Sequence, residues 1–225
     1  MLCIIQARMS SRRLPGKTLK LLCGYPMLRY VIDNILKSKK IKKIIVATSL
    51  LKKDDQIVHF CKINKIEYFR GNLKNVASRF YHILKNKKYK SFVRISGDSP
   101  LIDYKLLDRL INIYNNGKFD ICTNVMNRSF PKGQSIEVFS TNIFLQNFFN
   151  IKNCFYLEHV TKYFYKNYKI FKIFNLSSEI NYSKINLSVD TKKDFDKISK
   201  LIKITKGKYA SWKFYSKLYK EKFND

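Results

Sequence analysis

The chain has 225 residues, enough to bury the core of one domain and too many for a peptide-sized binder. Its 45 Lys and Arg against 16 Asp and Glu give a formal net charge of +29, and no apolar run reaches the length of a membrane span. Its cysteines, Cys3, Cys23, Cys61, Cys122 and Cys154, have no CxxC spacing, which argues against a zinc site or a disulfide framework; a reducing cytoplasm is the expected compartment.

A charge this high ordinarily points to a polyanion. Here the lysines are spread along the whole chain, with local concentrations only at 37–43 and 87–88, and they accompany abundant Ile, Asn, Phe and Tyr. That pattern reads as compositional drift on solvated helix ends and loops, so nucleic acid is not the expected partner. A polyanion-binding protein is kept as the rival reading.

The first element is a short β-prone run, Leu2 to Ile5, followed by Gln6-Ala7-Arg8-Met9-Ser10-Ser11-Arg12-Arg13-Leu14-Pro15-Gly16-Lys17, where Pro15-Gly16 stops any continuing helix. Leu28, Val31, Ile32, Ile35 and Leu36 recur at helical spacing after Pro26, and Lys43 to Ser49 is a second buried strand. Asp54 and Asp55 occupy the first turn of a helix with Ile57, Phe60 and Cys61 inside, where the macrodipole favours negative charge. A strand at Glu67 to Arg70, a helix carrying Val76, Phe80, Ile83 and Leu84, and a strand at Ser91 to Ile95 follow, the last ending in Gly97-Asp98-Ser99-Pro100. A helix from Tyr104 to Asn116 and a strand at Phe119 to Cys122 continue the alternation. The second half is less regular: a strand at Ile136 to Phe139, two helices and a strand between Phe144 and Phe174, a strand from Ile185 to Val189, a capped helix opening at Thr191, and a helical tail from Lys208 to Phe223.

Alternating strands and helices call for an α/β fold, a mostly parallel sheet covered on both faces, whose right-handed crossovers bring the first loop and the Asp98 loop to one edge. That edge is where open α/β sheets bind ligands. Gly16-Lys17-Thr18 ends like a Walker A motif, but Ser11 stands where its first glycine is needed. Side chains would block a close backbone cradle there, so Arg8, Arg13 and Lys17 are read as side-chain clamps for a triphosphate, with Ser10 and Ser11 as neutral donors. Asp98 and Asp190 both follow strands in a chain poor in carboxylates and are the candidate ligands for Mg²⁺, which takes one or two carboxylates plus phosphate oxygens.

Ile4 to Ser11, Arg13 to Lys17 and Pro26-Met27-Leu28 resemble the signature of the SpsF-like cytidylyltransferases, relatives of the CMP-sugar-acid synthetases. The resemblance continues in order through Val46 to Ser49, Arg70-Gly71, Arg94 to Asp103, Gly133 to Phe139, Glu158 to Thr161 and Val189 to Thr191. It implies a nucleotide-diphosphosugar-transferase-like, Rossmann-like single domain, with a nucleotide-binding half at 1–122 and a sugar-binding half at 123–225; the aromatic-rich second half is where a homodimer contact is expected. It implies CTP, or another NTP, as donor, Mg²⁺ as cofactor, a sugar as acceptor, expected to be an acidic sugar for surface polysaccharide or glycan, and pyrophosphate as the second product. Arg8, Arg13, Lys17 and Asp98 would form the catalytic set; Ala7, Ser10, Ser11, Arg79 and Ser96 would complete the nucleotide site; Asp98 and Asp190 would hold metal; Glu137, Glu158 and His159 would face the sugar. Sugar 1-phosphate is the alternative acceptor. The sequence departs from the family pattern at Asn75, where an acid is expected, at Ser78, where glycine is usual, and at Ser135, which replaces an aspartate. Loss of a carboxylate removes an acceptor that a buried hydroxyl or amine would need, so these positions bear on base and sugar choice.

Overall fold

A strand with no polar face must be covered on both sides, and Leu2, Cys3, Ile4 and Ile5 of β1 (Leu2–Gln6) are all fully buried. The computed structural model describes residues 1–85 and 89–223, so Lys87 and Lys88 of the second lysine concentration lie outside the described residues. The main sheet consists of β1, β4 (Lys43–Ser49), β5 (Glu67–Gly71), β6 (Ser91–Ser96), β7 (Ile121–Thr123), β8 (Glu137–Ser140) and β9 (Ile173–Asn175), in spatial order β5-β4-β1-β6-β8-β7-β9. Only β8 runs antiparallel to its neighbours, and β2 (Leu21–Leu22) with β3 (Tyr25–Pro26) forms a small separate ladder. The expectation of a mostly parallel sheet flanked by helices holds.

Strand periodicity sorts the core. Cys3, Ile5, Ile44, Val46, Val93 and Ile95 face α1 (Met27–Leu36), α2 (Asp55–Ile63) and α4 (Tyr104–Asn116). The alternate residues, Leu2, Ile4, Ile45, Ala47 and Phe92, face α3 (Val76–Lys85), α5 (Thr141–Asn147) and α7 (Lys162–Lys166). The short α6 (Cys154–Glu158) lies between α5 and α7 in the chain, while α8 (Lys192–Ile204) and α9 (Trp212–Phe223) pack with Leu22, Met27, Leu187 and Val189. Among the described residues no helix is long and apolar enough to cross a membrane.

Register brings the two expected loops together. Gln6 stands opposite Ser96 in the parallel β1–β6 pair, and the Gly97 N–H donates to the Gln6 carbonyl at 2.9 Å. A Cβ at Gly97 would stand 3.0 Å from that oxygen and 3.1 Å from the Ala7 Cβ, so glycine lets the Asp98 loop leave flush against the first.

Three expectations change in detail. Leu36 ends α1 exposed, because the helix stops where its last apolar residue has already turned away from the sheet. The stretch from 141 to 175 holds α5, α6, α7, a 3-10 turn at Phe148–Asn150 and β9, shorter and more numerous helices than expected. Ile185 to Val189 is not a strand of the sheet: Ile185, Leu187 and Val189 are buried in strand-like alternation, but against α8 and α9, and the segment makes a single parallel bridge, Asn186 to Lys132. Its backbone is spent on two loops instead, Leu187 N–H donating to Lys132 O at 2.8 Å and Val189 N–H to Asp98 O at 2.9 Å.

Gly133 makes that arrangement possible. Its φ is +89°, and a Cβ there would lie 2.5 Å from the Leu187 carbonyl carbon, a backbone atom that cannot move aside alone. Gly133→Ala is therefore expected to destabilise the protein by about 2–4 kcal/mol in urea unfolding. A loss below about 0.5 kcal/mol would show that the 185–189 segment shifts freely.

Candidate functional site

The loop after β1 is held at its root and free at its tip. Met9 turns inward and its N–H donates to Asp54 Oδ1 at 2.7 Å; the Thr18 hydroxyl donates to Arg8 O at 2.8 Å, and Gly16, at φ +74°, returns its N–H to Met9 O at 2.9 Å. Asp54 is fully buried and its Oδ2 also accepts from the Thr48 hydroxyl and from the Ser49 N–H and hydroxyl. It gives α2 no side-chain cap; its hydrogen bonds go to the loop and to the end of β4. With Met9 pinned inside, Arg8 and Ser10 point to the other side of the loop.

That side is the floor of a cleft of about 660 Å³, lined by Arg8, Ser10, Ser11, Arg13, Lys17 and Arg79 among others, and by Ala7, Ser96, Asp98, Cys154, Glu158 and His159. The volume suits a drug-sized or nucleotide-sized ligand. The clamps all have carboxylate partners. Arg8 reaches Glu158 at 3.1 Å, Arg13 reaches Asp190 at 3.1 Å, and the Lys17 ammonium donates to Asp98 Oδ2 at 3.1 Å, Asp190 Oδ1 at 2.9 Å and Val189 O at 2.6 Å. Lys17 is buried and all three of its donors are engaged, so it stands between the expected metal ligands and not out in the cleft.

Arg79 reaches the cleft from α3. It is buried, its Nη1 donates to Ala47 O at 3.0 Å, and its Nε has no partner. Burial, reinforced by the nearby Arg8 charge and only partly offset by Asp54, pulls its pKa down to about 10. A Cβ at residue 71 would fall 2.7 Å from Arg79 Cγ, which explains Arg70-Gly71 in the sequence. The Ser10 hydroxyl is likewise buried without a partner.

A second cavity, about 320 Å³, adjoins the first and shares Ser96, Asp98, His159 and Asp190 with it. Glu137 lines it but is not open to a ligand in the way the sequence suggests: it is buried, paired with Arg94, and accepts from the Tyr165 hydroxyl, which also reaches Thr123 Oγ1 at 3.0 Å. Burial and the adjacent Glu137 push the Tyr165 phenol well up, so it stays a donor. His159 is exposed, with its ring 4.6 Å from that of Phe155.

Of the departures, Asn75 and Ser78 serve α3: Asn75 Oδ1 accepts from the Ser78 N–H at 2.8 Å, and the Ser78 hydroxyl donates back to Asn75 O. Ser135 lies in the second cavity, where its hydroxyl accepts from Arg128 at 3.0 Å. Arg128 is not named by the sequence reasoning, for which the replacement at 135 is the available signal, and Asp54 is named there only as an acid opening a helix. Both cavities draw residues from before and after residue 122, so neither half of the chain forms a site alone.

The cytidylyltransferase family profile matches residues 2–222. The spore coat polysaccharide biosynthesis protein SpsF of Bacillus subtilis is 30% identical over 89% of this chain and 85% of its own length. A solved cytidylyltransferase from Leptospira borgpetersenii superposes with a TM-score of 0.87 at 29% identity, covering 97% of this chain and 91% of that one. A CMP:2-keto-3-deoxy-manno-octonic acid synthetase solved with CTP has a TM-score of 0.68 at 16% identity over 91% of this chain and 98% of that one, a likeness of fold.

Proposed function

Because the chain belongs to the cytidylyltransferase family, we propose that it transfers CMP from CTP to a hydroxyl of an acidic sugar destined for surface polysaccharide, releasing pyrophosphate. The observation that carries this reading is the shared lining: Asp98 and Asp190 border both a nucleotide-sized cleft floored by cations and a smaller cavity of sugar size. CTP occupies the cleft with its triphosphate over Arg8, Ser10, Ser11 and Arg13, and with base and ribose toward Arg79 and Ser96. The sugar enters the second cavity, and its hydroxyl oxygen bonds to the α-phosphorus as the bond from that phosphorus to the α,β-bridging oxygen breaks; the hydroxyl proton passes to solvent water and pyrophosphate leaves with the electron pair of the broken bond. Arg8 and Arg13 exchange their carboxylate partners for phosphate oxygens and stabilise the departing charge.

The donor set at the wall fits a divalent cation. Two carboxylates converge on one cationic point, now the Lys17 ammonium, and hard oxygens of this kind suit Mg²⁺. Asp98 and Asp190 would hold it, and when bound it would supply charge neutralisation at the α-phosphate and the attacking oxygen. Lys17 sets the spacing of the two carboxylates.

Two measurements test the reading together. Pyrophosphate release with Mg²⁺ is expected with CTP ahead of the other NTPs, using a panel of sugar acids and sugar 1-phosphates as acceptors. Iodoacetamide at about pH 8 is expected to label exposed Cys23 and Cys154 and to spare Cys3, Cys61 and Cys122, where burial pushes the thiols up, to about 12 for the latter two. CTP is expected to protect Cys154, which lines the cleft, and to leave Cys23 unprotected. Protection by none of the NTPs, or release with another NTP and none with CTP, would overturn the assignment.

A further inference from the structure

The second cavity carries charge that the fold does not use. Its carboxylates are committed: Glu137 to Arg94 and Tyr165, Asp98 and Asp190 to Lys17. Arg128, Lys132 and Lys162 line the same cavity, and among the described residues none of the three pairs with a carboxylate. The two lysines are long, mobile side chains that water satisfies easily. Arg128 is different, because it is half-buried and fixed, with Nη2 on the Ser135 hydroxyl at 3.0 Å and Nη1 on Pro131 O at 3.4 Å.

Both partners are neutral. A guanidinium has five donors in a planar fork, and withdrawing it from water without a counter-charge is unfavourable. Burial depresses the Arg128 pKa, and the nearby Glu137 and Tyr165 offset this only in part. An acid at position 135 would supply a counter-charge in direct contact; serine leaves the guanidinium hydrogen-bonded for orientation, with only the nearby Glu137, itself paired with Arg94, to offset its charge.

We propose that Arg128 is a specificity-determining residue that receives the carboxylate of the acceptor sugar as a forked pair, and that Ser135 keeps it available. The fork matches a planar carboxylate, and a sugar anchored there lies in the cavity that Asp98 and Asp190 also line. The assignment rests on the CMP-transfer reading for its substrate, but not for the anion site itself.

The test has two arms. In steady-state pyrophosphate release from CTP with 2-keto-3-deoxy-manno-octonic acid, or whichever panel acid turns over, Arg128→Met is expected to raise the acceptor KM about 10- to 100-fold and to leave the CTP KM within about twofold. Arg128→Lys should recover part of the loss, and Ser135→Asp should reproduce it by filling the fork from within. In the second arm, pyruvate, which carries the same 2-keto carboxylate, is titrated at constant ionic strength while the arginine Nε–H resonances are followed by NMR. A saturable shift of the Arg128 signal, absent from Ser135→Asp, is expected. An unchanged acceptor KM in folded Arg128→Met, or no pyruvate response at Arg128, overturns the proposal. Turnover with sugar 1-phosphates alone, lost in Arg128→Met, keeps an anion site but overturns the carboxylate. If no acceptor turns over while pyruvate still moves Arg128, the CMP-transfer reading falls and the anion site stands.

Discussion

Replacing Lys17 with methionine is expected to lower pyrophosphate release from CTP by about 10²- to 10³-fold, the loss usual when a preorganised charge at a reacting centre is removed. The ammonium donates to Asp98, Asp190 and Val189 O together, so the variant leaves two carboxylates facing each other with no charge between them. Breaking a fully buried pair costs about 3–5 kcal/mol, but these carboxylates are 26% and 38% exposed, and solvent screens the repulsion. Stability in urea should therefore fall by only about 1–2 kcal/mol, and the activity loss will exceed what unfolding explains. Lys17→Arg should not restore turnover, because a planar fork cannot place three donors around one compact point. Full activity in the methionine variant would show that Lys17 is a structural strut.

The second large effect lies outside the cleft. Asp54→Ala is expected to cost about 3–5 kcal/mol in urea unfolding, since it strips acceptors from the Met9 and Ser49 N–H groups and from the Thr48 and Ser49 hydroxyls in a fully buried position. Asp55→Ala, one residue on, removes a pair with Arg70 that is 55% exposed on the carboxylate side and should cost less than about 1 kcal/mol. In the folded fraction, Asp54→Ala should raise the CTP KM about tenfold, because the phosphate loop loses its anchor. Equal costs for the two variants would refute the anchoring role.

The contrast between these neighbours shows what was legible in the sequence. In composition and spacing Asp54 and Asp55 are alike, two acids opening a helix. Only the return of the chain after β1 reveals that one of them bonds to Met9, 45 residues earlier. Local signals were read well: the run of Leu2 to Ile5, the bounds of α4, and the capping box at Thr191 and Asp194 depend on periodicity or a three-residue spacing. The Ile185 to Val189 segment misled for a physical reason. Alternating burial specifies which residues face inward, not which carbonyls their N–H groups meet, and here those belong to the loops at Lys132 and Asp98. For the site, the cations and carboxylates were legible as types but not as partners; that Lys17 would be saturated, or Arg128 left over, depends on distances across the whole chain.

The pairing of Arg8 with Glu158, and of Arg13 and Lys17 with Asp190, also separates capture from grip. At rest the three carboxylates of the cleft offset only part of the charge of its six Arg and Lys side chains, and the molecule as a whole carries +29. A polyanionic substrate is thus drawn in by the distant field and held by exchanging partners at close range. The first effect decays over a Debye length of about 8 Å at physiological salt; the second, partly desolvated, is screened far less. Added salt should slow the encounter more than it shortens the residence of what has arrived.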